Sequence, residues 1–86
     1  MKEVKPTRRD VSKILGRRVD GWNDKRRFYN RIKLTERLAY DEMQELETQL
    51  DRQFPGYRFA IGNVIWYGER SLGPVSVTAI NYWKQK

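Results

Sequence analysis

The residues with the most chemical potential in this chain are cationic. Arg8, Arg9, Lys13, Arg17, Arg18, Lys25, Arg26, Arg27, Arg31 and Lys33 all fall between positions 8 and 33. A guanidinium donates two parallel hydrogen bonds and so fits a phosphate better than a point charge does. Clustered cations of this kind mark a polyanion contact, most often nucleic acid, and engaging several phosphates makes affinity steeply salt-dependent. Aromatic residues are interleaved with the charge. Trp22 and Tyr29 are candidates for stacking on bases or for contact with a partner, although packing against a sheet is the commoner use of Trp22 and Phe28. Near the C-terminus, Trp66, Tyr67, Tyr82 and Trp83 could line a sheet face that stacks single-stranded bases. Of these, Tyr67 and Trp83 are the candidates for exposed contacts, and a place in the core is the competing use of all four.

Other chemistry is poorly supplied. The chain has no histidine and no cysteine, so the commonest general base and metal ligand, thiolate nucleophiles and disulfides are excluded. The carboxylates gather on one stretch, residues 36–51, at spacings normal for a solvated helix face. No catalytic residue, metal site or cofactor is expected, and the reading is of a protein that is not an enzyme.

These side chains must be positioned by one domain, since 86 residues leave no room for two cores. Aromatic content of 13% argues against disorder despite 34% charged residues. Charge is unevenly spread: residues 1–33 hold 12 Lys+Arg against 4 Asp+Glu, residues 34–54 hold 2 against 6, and residues 55–86 hold 4 against 1. No apolar run is long enough to span a bilayer, and a cytoplasmic location without membrane contact is expected.

The elements read as α+β. Residues 1–6 look like a flexible arm. In the basic segment 7–33, Thr7 and Asp10 suit a capping box, Val11, Ile14 and Leu15 share a helical face, and Gly16 suits a C-cap. A second short helix is expected over about 23–32, placing Phe28 and Ile32 on one face. The acidic segment 34–54 predicts the clearest helix, capped by Thr35, with Leu38, Met43, Leu46 and Leu50 as its stripe and Pro55–Gly56 as its stop. Residues 57–83 predict an antiparallel hairpin or three-stranded meander. If Gly62–Asn63 is a hairpin turn, Tyr57, Phe59, Ile61, Val64 and Trp66 share an apolar face, and this cleaner face favours the meander. If Tyr57–Tyr67 is instead one long strand paired with Val75–Trp83, a kink falls at Gly62 and Trp66 and Tyr67 exchange faces.

The order of Val11, Ser12, Ile14, Leu15 and Gly16 is similar to the first helix and turn of helix-turn-helix domains. The likeness covers only residues 8–22, and Gly21 would then fall inside the recognition helix, where it costs about 1 kcal/mol relative to Ala.

The function expected is that of a small basic nucleic-acid-binding protein, DNA or RNA, whose Arg/Lys-rich N-terminal helices contact phosphates above a sheet scaffold. The alternative is a protein-binding regulator or inhibitor, of the kind phages and mobile elements encode, acting on a nucleic-acid-handling enzyme. A homodimer through an open sheet edge or the long helix is a third possibility.

Overall fold

Alternation, rather than helical period, governs the middle of the chain. In Asn30–Leu34, Ile32 and Leu34 are fully buried while Arg31 and Lys33 remain partly accessible, as in a strand with one face on a core. The computed structural model describes residues 4–67 and 73–85. Among them the order is α1 (Arg8–Leu15), β1 (Gly21–Asn23), β2 (Asn30–Leu34), α2 (Tyr40–Gln53), β3 (Tyr57–Trp66) and β4 (Val75–Lys84). The strands form one antiparallel sheet in the order β1-β2-β4-β3. Because β4 lies between β2 and β3, those two run parallel to each other, and α2 is the crossover between them.

The α+β class stands, but the expected arrangement of three helices on a C-terminal hairpin or meander is corrected to two helices on a four-stranded sheet. The helix expected over about 23–32 is absent because the backbone there is claimed by the sheet. Trp22 faces Lys33 across β1–β2, and Ile32 faces Ile80 across β2–β4. With it goes the likeness to helix-turn-helix domains, since the chain enters a strand at Gly21, where a recognition helix would run. Gly21 has a packing reason for its identity: a Cβ there would lie 2.5 Å from the Lys33 carbonyl oxygen and 3.1 Å from Leu34 Cδ2.

Helix α1 forms as expected. The Asp10 carboxylate accepts from both the Thr7 amide and the Thr7 hydroxyl, at 2.8 and 3.0 Å, and Gly16 closes the helix with a left-handed φ of 72°. Arg8 donates to the Val19 carbonyl at 2.9 Å, and Ser12 Oγ accepts from the Val19 amide at 3.0 Å. These bonds hold the segment entering β1 against the helix. Pro6 is buried; of the arm expected over 1–6, residues 1–3 lie outside the described residues.

Helix α2 has 14 residues, about 21 Å at 1.5 Å per residue, shorter than expected at its start. Thr35 does not cap it, because its amide donates to the Asp20 carbonyl at 3.0 Å and the chain bends at 35–36 on leaving β2. An irregular segment follows, within which the Leu38 amide donates to the buried Thr78 hydroxyl at 2.8 Å. The helix begins at Tyr40, with Glu42 reaching back to accept from the Ala39 amide at 3.1 Å. Of the two readings of residues 57–67 the long strand is found. Tyr57 faces Lys84 and Trp66 faces Val75 in one unbroken register, with no turn or kink at Gly62–Asn63. Asn63 is instead a cross-strand partner, its Oδ1 accepting from the Thr78 hydroxyl at 2.9 Å. The segment following Tyr67 in the expected loop, residues 68–72, lies outside the described residues.

Both helices cover the same sheet face. Val11, Leu46 and Leu50 pack with Ile32, Leu34, Tyr57, Ile80 and Tyr82, and Phe59 and Ile61 join at the margin. The rings of Phe54, Phe59, Tyr57 and Tyr82 meet pairwise at 5.6–6.4 Å between centroids, and burial pushes the Tyr82 phenol pKa up. With a least dimension of 18 Å the molecule is two layers thick, helices over sheet. The second sheet face has no layer upon it among the described residues.

Candidate nucleic-acid interface

Strict alternation along a paired strand decides which side chains reach the open face. Since Ile32, Ile80 and Ile61 point into the core, their neighbours point away: Arg31 and Lys33 from β2, Val75, Val77, Ala79, Asn81 and Trp83 from β4, and Arg58, Ala60, Gly62, Val64 and Trp66 from β3. Trp22 joins them because it faces Lys33. The expected grouping of Val64 and Trp66 with Phe59 is thereby corrected. The turn that would have aligned them does not exist, so both lie on the opposite face.

Two aromatic groups stand on this face. Trp22 and Trp66 approach to 5.5 Å between ring centroids, inclined at 60°. Lys33 Nζ sits 5.7 Å from the Trp22 ring centre and 5.8 Å from that of Trp66, within the reach of a cation–π contact. This canopy accounts for the burial of Val77 and Ala79, which are 2% and 0% exposed although they belong to the open face. The second group is Tyr29 with Trp83, neighbours by extension of the pairing of Asn30 with Tyr82. It lies four residues along β4 from Ala79, about 13 Å at a strand rise of about 3.3 Å. Arg31 belongs to the second group, donating to Asn81 Oδ1 at 2.8 Å and to the Tyr29 hydroxyl at 3.1 Å. Between the groups the floor is made of small residues, Ala60 and Gly62. A Cβ added at Gly62 would meet nothing within 4 Å.

The ten cations singled out from the sequence are spread over α1, the turn after it, the β1–β2 turn and β2. Arg8 is used structurally, as described above. Arg17 is held by Glu36 at 2.8 Å and Glu42 at 3.3 Å, and these carboxylates raise its pKa. Arg18 pairs with Asp20 at 3.2 Å on the surface. Lys13 is exposed on α1, and Arg9 borders a shallow cleft of about 440 Å³ with Thr7, Arg8 and Trp22. Arg31 and Lys33 lie on the open sheet face, while Lys25, Arg26 and Arg27 lie in the β1–β2 turn beside it. Asp24, the acidic residue at this margin, already pairs with Arg26 at 3.2 Å.

Of the candidate stacking residues, Trp22, Tyr29 and Trp83 come to this face, and Trp22 and Trp83 are 39% and 37% exposed. Tyr67, 72% exposed, lies just beyond β3. Phe28, expected to pack on the sheet, is 82% exposed instead, at the outermost point of the β1–β2 turn. Arg58 was not among the candidates, and Trp66, one of four aromatics considered for a stacking face, was expected in the core with Phe59. Their alternation with Ala60, Gly62 and Val64 is the signal that places them, and it becomes readable only when Tyr57–Trp66 is taken as a single strand.

Among the described residues no three acidic side chains gather to hold a metal ion, and no helix is long and apolar enough to cross a membrane. The family-model, curated-protein and solved-structure comparisons each give no match.

Proposed function

We propose that this protein binds single-stranded nucleic acid along the open face of its sheet, with bases stacking on the aromatic groups and phosphates lying against the flanking cations. The observation that carries this reading is the Trp22–Lys33–Trp66 cluster: two indoles and an ammonium gathered on a sheet face that neither helix covers. Flat rings bind bases without regard to sequence, because every base has a π-face. Arg31, Lys33 and Arg58 supply positive charge at intervals across the strands. The small floor between the groups leaves room for a strand to lie close to the sheet. An unpaired strand suits this surface better than a duplex, whose bases are stacked on one another and unavailable to rings on a flat sheet. Compared with the expectation from sequence, the contact moves from the N-terminal helices to the sheet, and α1 becomes part of the support.

Titration of a short oligothymidine, followed by tryptophan fluorescence, tests this directly. Quenching is expected at low salt, and Trp22→Ala or Trp66→Ala should each weaken binding by about 1–3 kcal/mol, the usual worth of one stacked base, with the circular dichroism spectrum preserved. Absence of binding at low salt, or full affinity in both variants, would overturn the assignment.

A further inference from the structure

The turn between β1 and β2 carries a feature that folding does not require. The Asp24 amide donates to the Arg31 carbonyl at 2.7 Å and the Arg26 amide to the Tyr29 carbonyl at 2.9 Å. The hairpin therefore continues past the strands and ends on Arg27 and Phe28. Such tips are usually made of small polar residues, which are readily solvated. Here the tip bears a phenylalanine that is 82% exposed, the most exposed large hydrophobic side chain among the described residues. The Arg27 guanidinium carbon lies 5.3 Å from the ring centroid, steadying one ring face and leaving the other to solvent. Behind the tip, Lys25, Arg26, Tyr29 and Trp83 help to line a cleft of about 180 Å³. The tip thus stands at the end of the open face marked by Tyr29 and Trp83, with three cations of its own.

Resting on the reading of that face as a single-strand site, we infer that the hairpin tip is a wedge for single-strand–duplex junctions, Phe28 stacking on the terminal base pair where a bound strand enters a duplex. Apolar side chains inserted at base steps are a general device of nucleic-acid-binding proteins, and unstacking is cheapest where pairing already ends. Arg27, Lys25 and Arg26 are placed for the phosphates that flank such a junction. The strand leaving the duplex would pass Tyr29 and Trp83 and continue toward Trp22 and Trp66. A membrane surface is the other plane into which an exposed aromatic with basic neighbours can insert, but rings spread across a whole sheet face match a strand of bases better than a bilayer boundary.

The test compares three labelled probes: an oligothymidine, the same strand extending from a duplex, and a blunt duplex. The wild-type protein should bind the junction about tenfold tighter than the free strand, a gain of the size one stacked base gives, and Phe28→Ala should bring the two within about twofold. A 2-aminopurine at the first paired position should brighten on binding wild type and not on binding the variant. Phe28 makes no core contact, so the variant folds, and its unchanged affinity for the free strand confirms that. Equal affinity of wild type for strand and junction, or an undiminished preference in Phe28→Ala, would overturn the wedge while leaving the strand site intact. Failure of wild type to bind the free strand would instead remove the site on which the wedge rests. Phe28-dependent sedimentation with phosphatidylserine vesicles, without junction preference, would assign the tip to a membrane and overturn the inference.

Discussion

Gly21 shows how one atom can control the open face. It opposes Leu34 at the start of β1, and its hydrogen occupies the space where a Cβ would press on the Lys33 carbonyl at 2.5 Å. Backbone cannot yield as a side-chain end can. Gly21→Ala should therefore displace β1 and cost about 1–3 kcal/mol, the usual range for overpacking, measurable as a lower midpoint in urea. It should also loosen Trp22, the next residue, so that Lys33 and Trp66 lose their partner and tryptophan emission shifts to the red. In sequence the same glycine falls where a recognition helix would run, and what makes glycine necessary is the carbonyl of Lys33, a residue of the next strand. Thr7, Asp10 and Gly16 were legible because their partners lie within a few residues. Thr78 was not, since its hydroxyl serves Leu38 and Asn63, both distant in sequence.

Among the elements, α1 was read with its caps and bounds, whereas β2 was read as helix. Asn30–Leu34 does alternate, but over five residues, and Phe28 with Ile32 imitates a helical pair at the same time. Short segments of this kind are decided by their neighbours, here Ile80 and Ala79 of β4. For α2 the stripe and the stop were legible, but the start was displaced because Thr35 looks like a cap and instead, just past the end of β2, bonds back to the Asp20 carbonyl. The true start depends on Glu42, whose carboxyl pKa is lowered first by the Ala39 amide and then by Arg17. Arg17 also holds Glu36, so this carboxylate joins α2 to the turn after α1 and to the segment leaving β2. Its contribution has a definite sign. A folded pKa below the unfolded value means stability that is present above the ordinary carboxylate value of 4.5 and is lost as the pH falls through the lower folded value. Glu42→Gln should thus be less stable than wild type at neutral pH, and the difference should shrink once the pH drops below about 4.5. Denaturant midpoints across an acid series check this; a difference that stays constant to pH values well below that point would show that the charge plays no part.

The charge of the whole molecule is arranged across the sheet as much as along the chain. Counted by position, the cations appear as an N-terminal block and the acids as the helix after it. In three dimensions the exposed acids Asp41, Glu45, Glu47 and Asp51 lie on α2, behind the sheet, while Arg31, Lys33 and Arg58 lie on its front beside the cations of the β1–β2 turn. Arg58 belongs to the C-terminal third and had no reason to be grouped with the others until β3 was placed. A polyanion approaching the open face meets positive charge with the acidic helix on the far side, an arrangement that orients encounter as well as holding the complex. The salt dependence of binding should reveal which cations meet phosphate. For a single strand, each phosphate neutralised contributes about 0.7 to the slope of log affinity against log salt. Changing Lys33 and Arg58 to Gln should flatten that slope by about 1.4 if each meets one phosphate. Changing Lys13 and Arg18 to Gln, equally basic but on α1 and on the surface turn after it, should leave the slope unaltered. The two double variants have the same net charge, so a general effect of charge would flatten both slopes equally. Flattening by Lys13 and Arg18 alone would return the contact to the N-terminal segment, where the order of residues along the chain first suggested it.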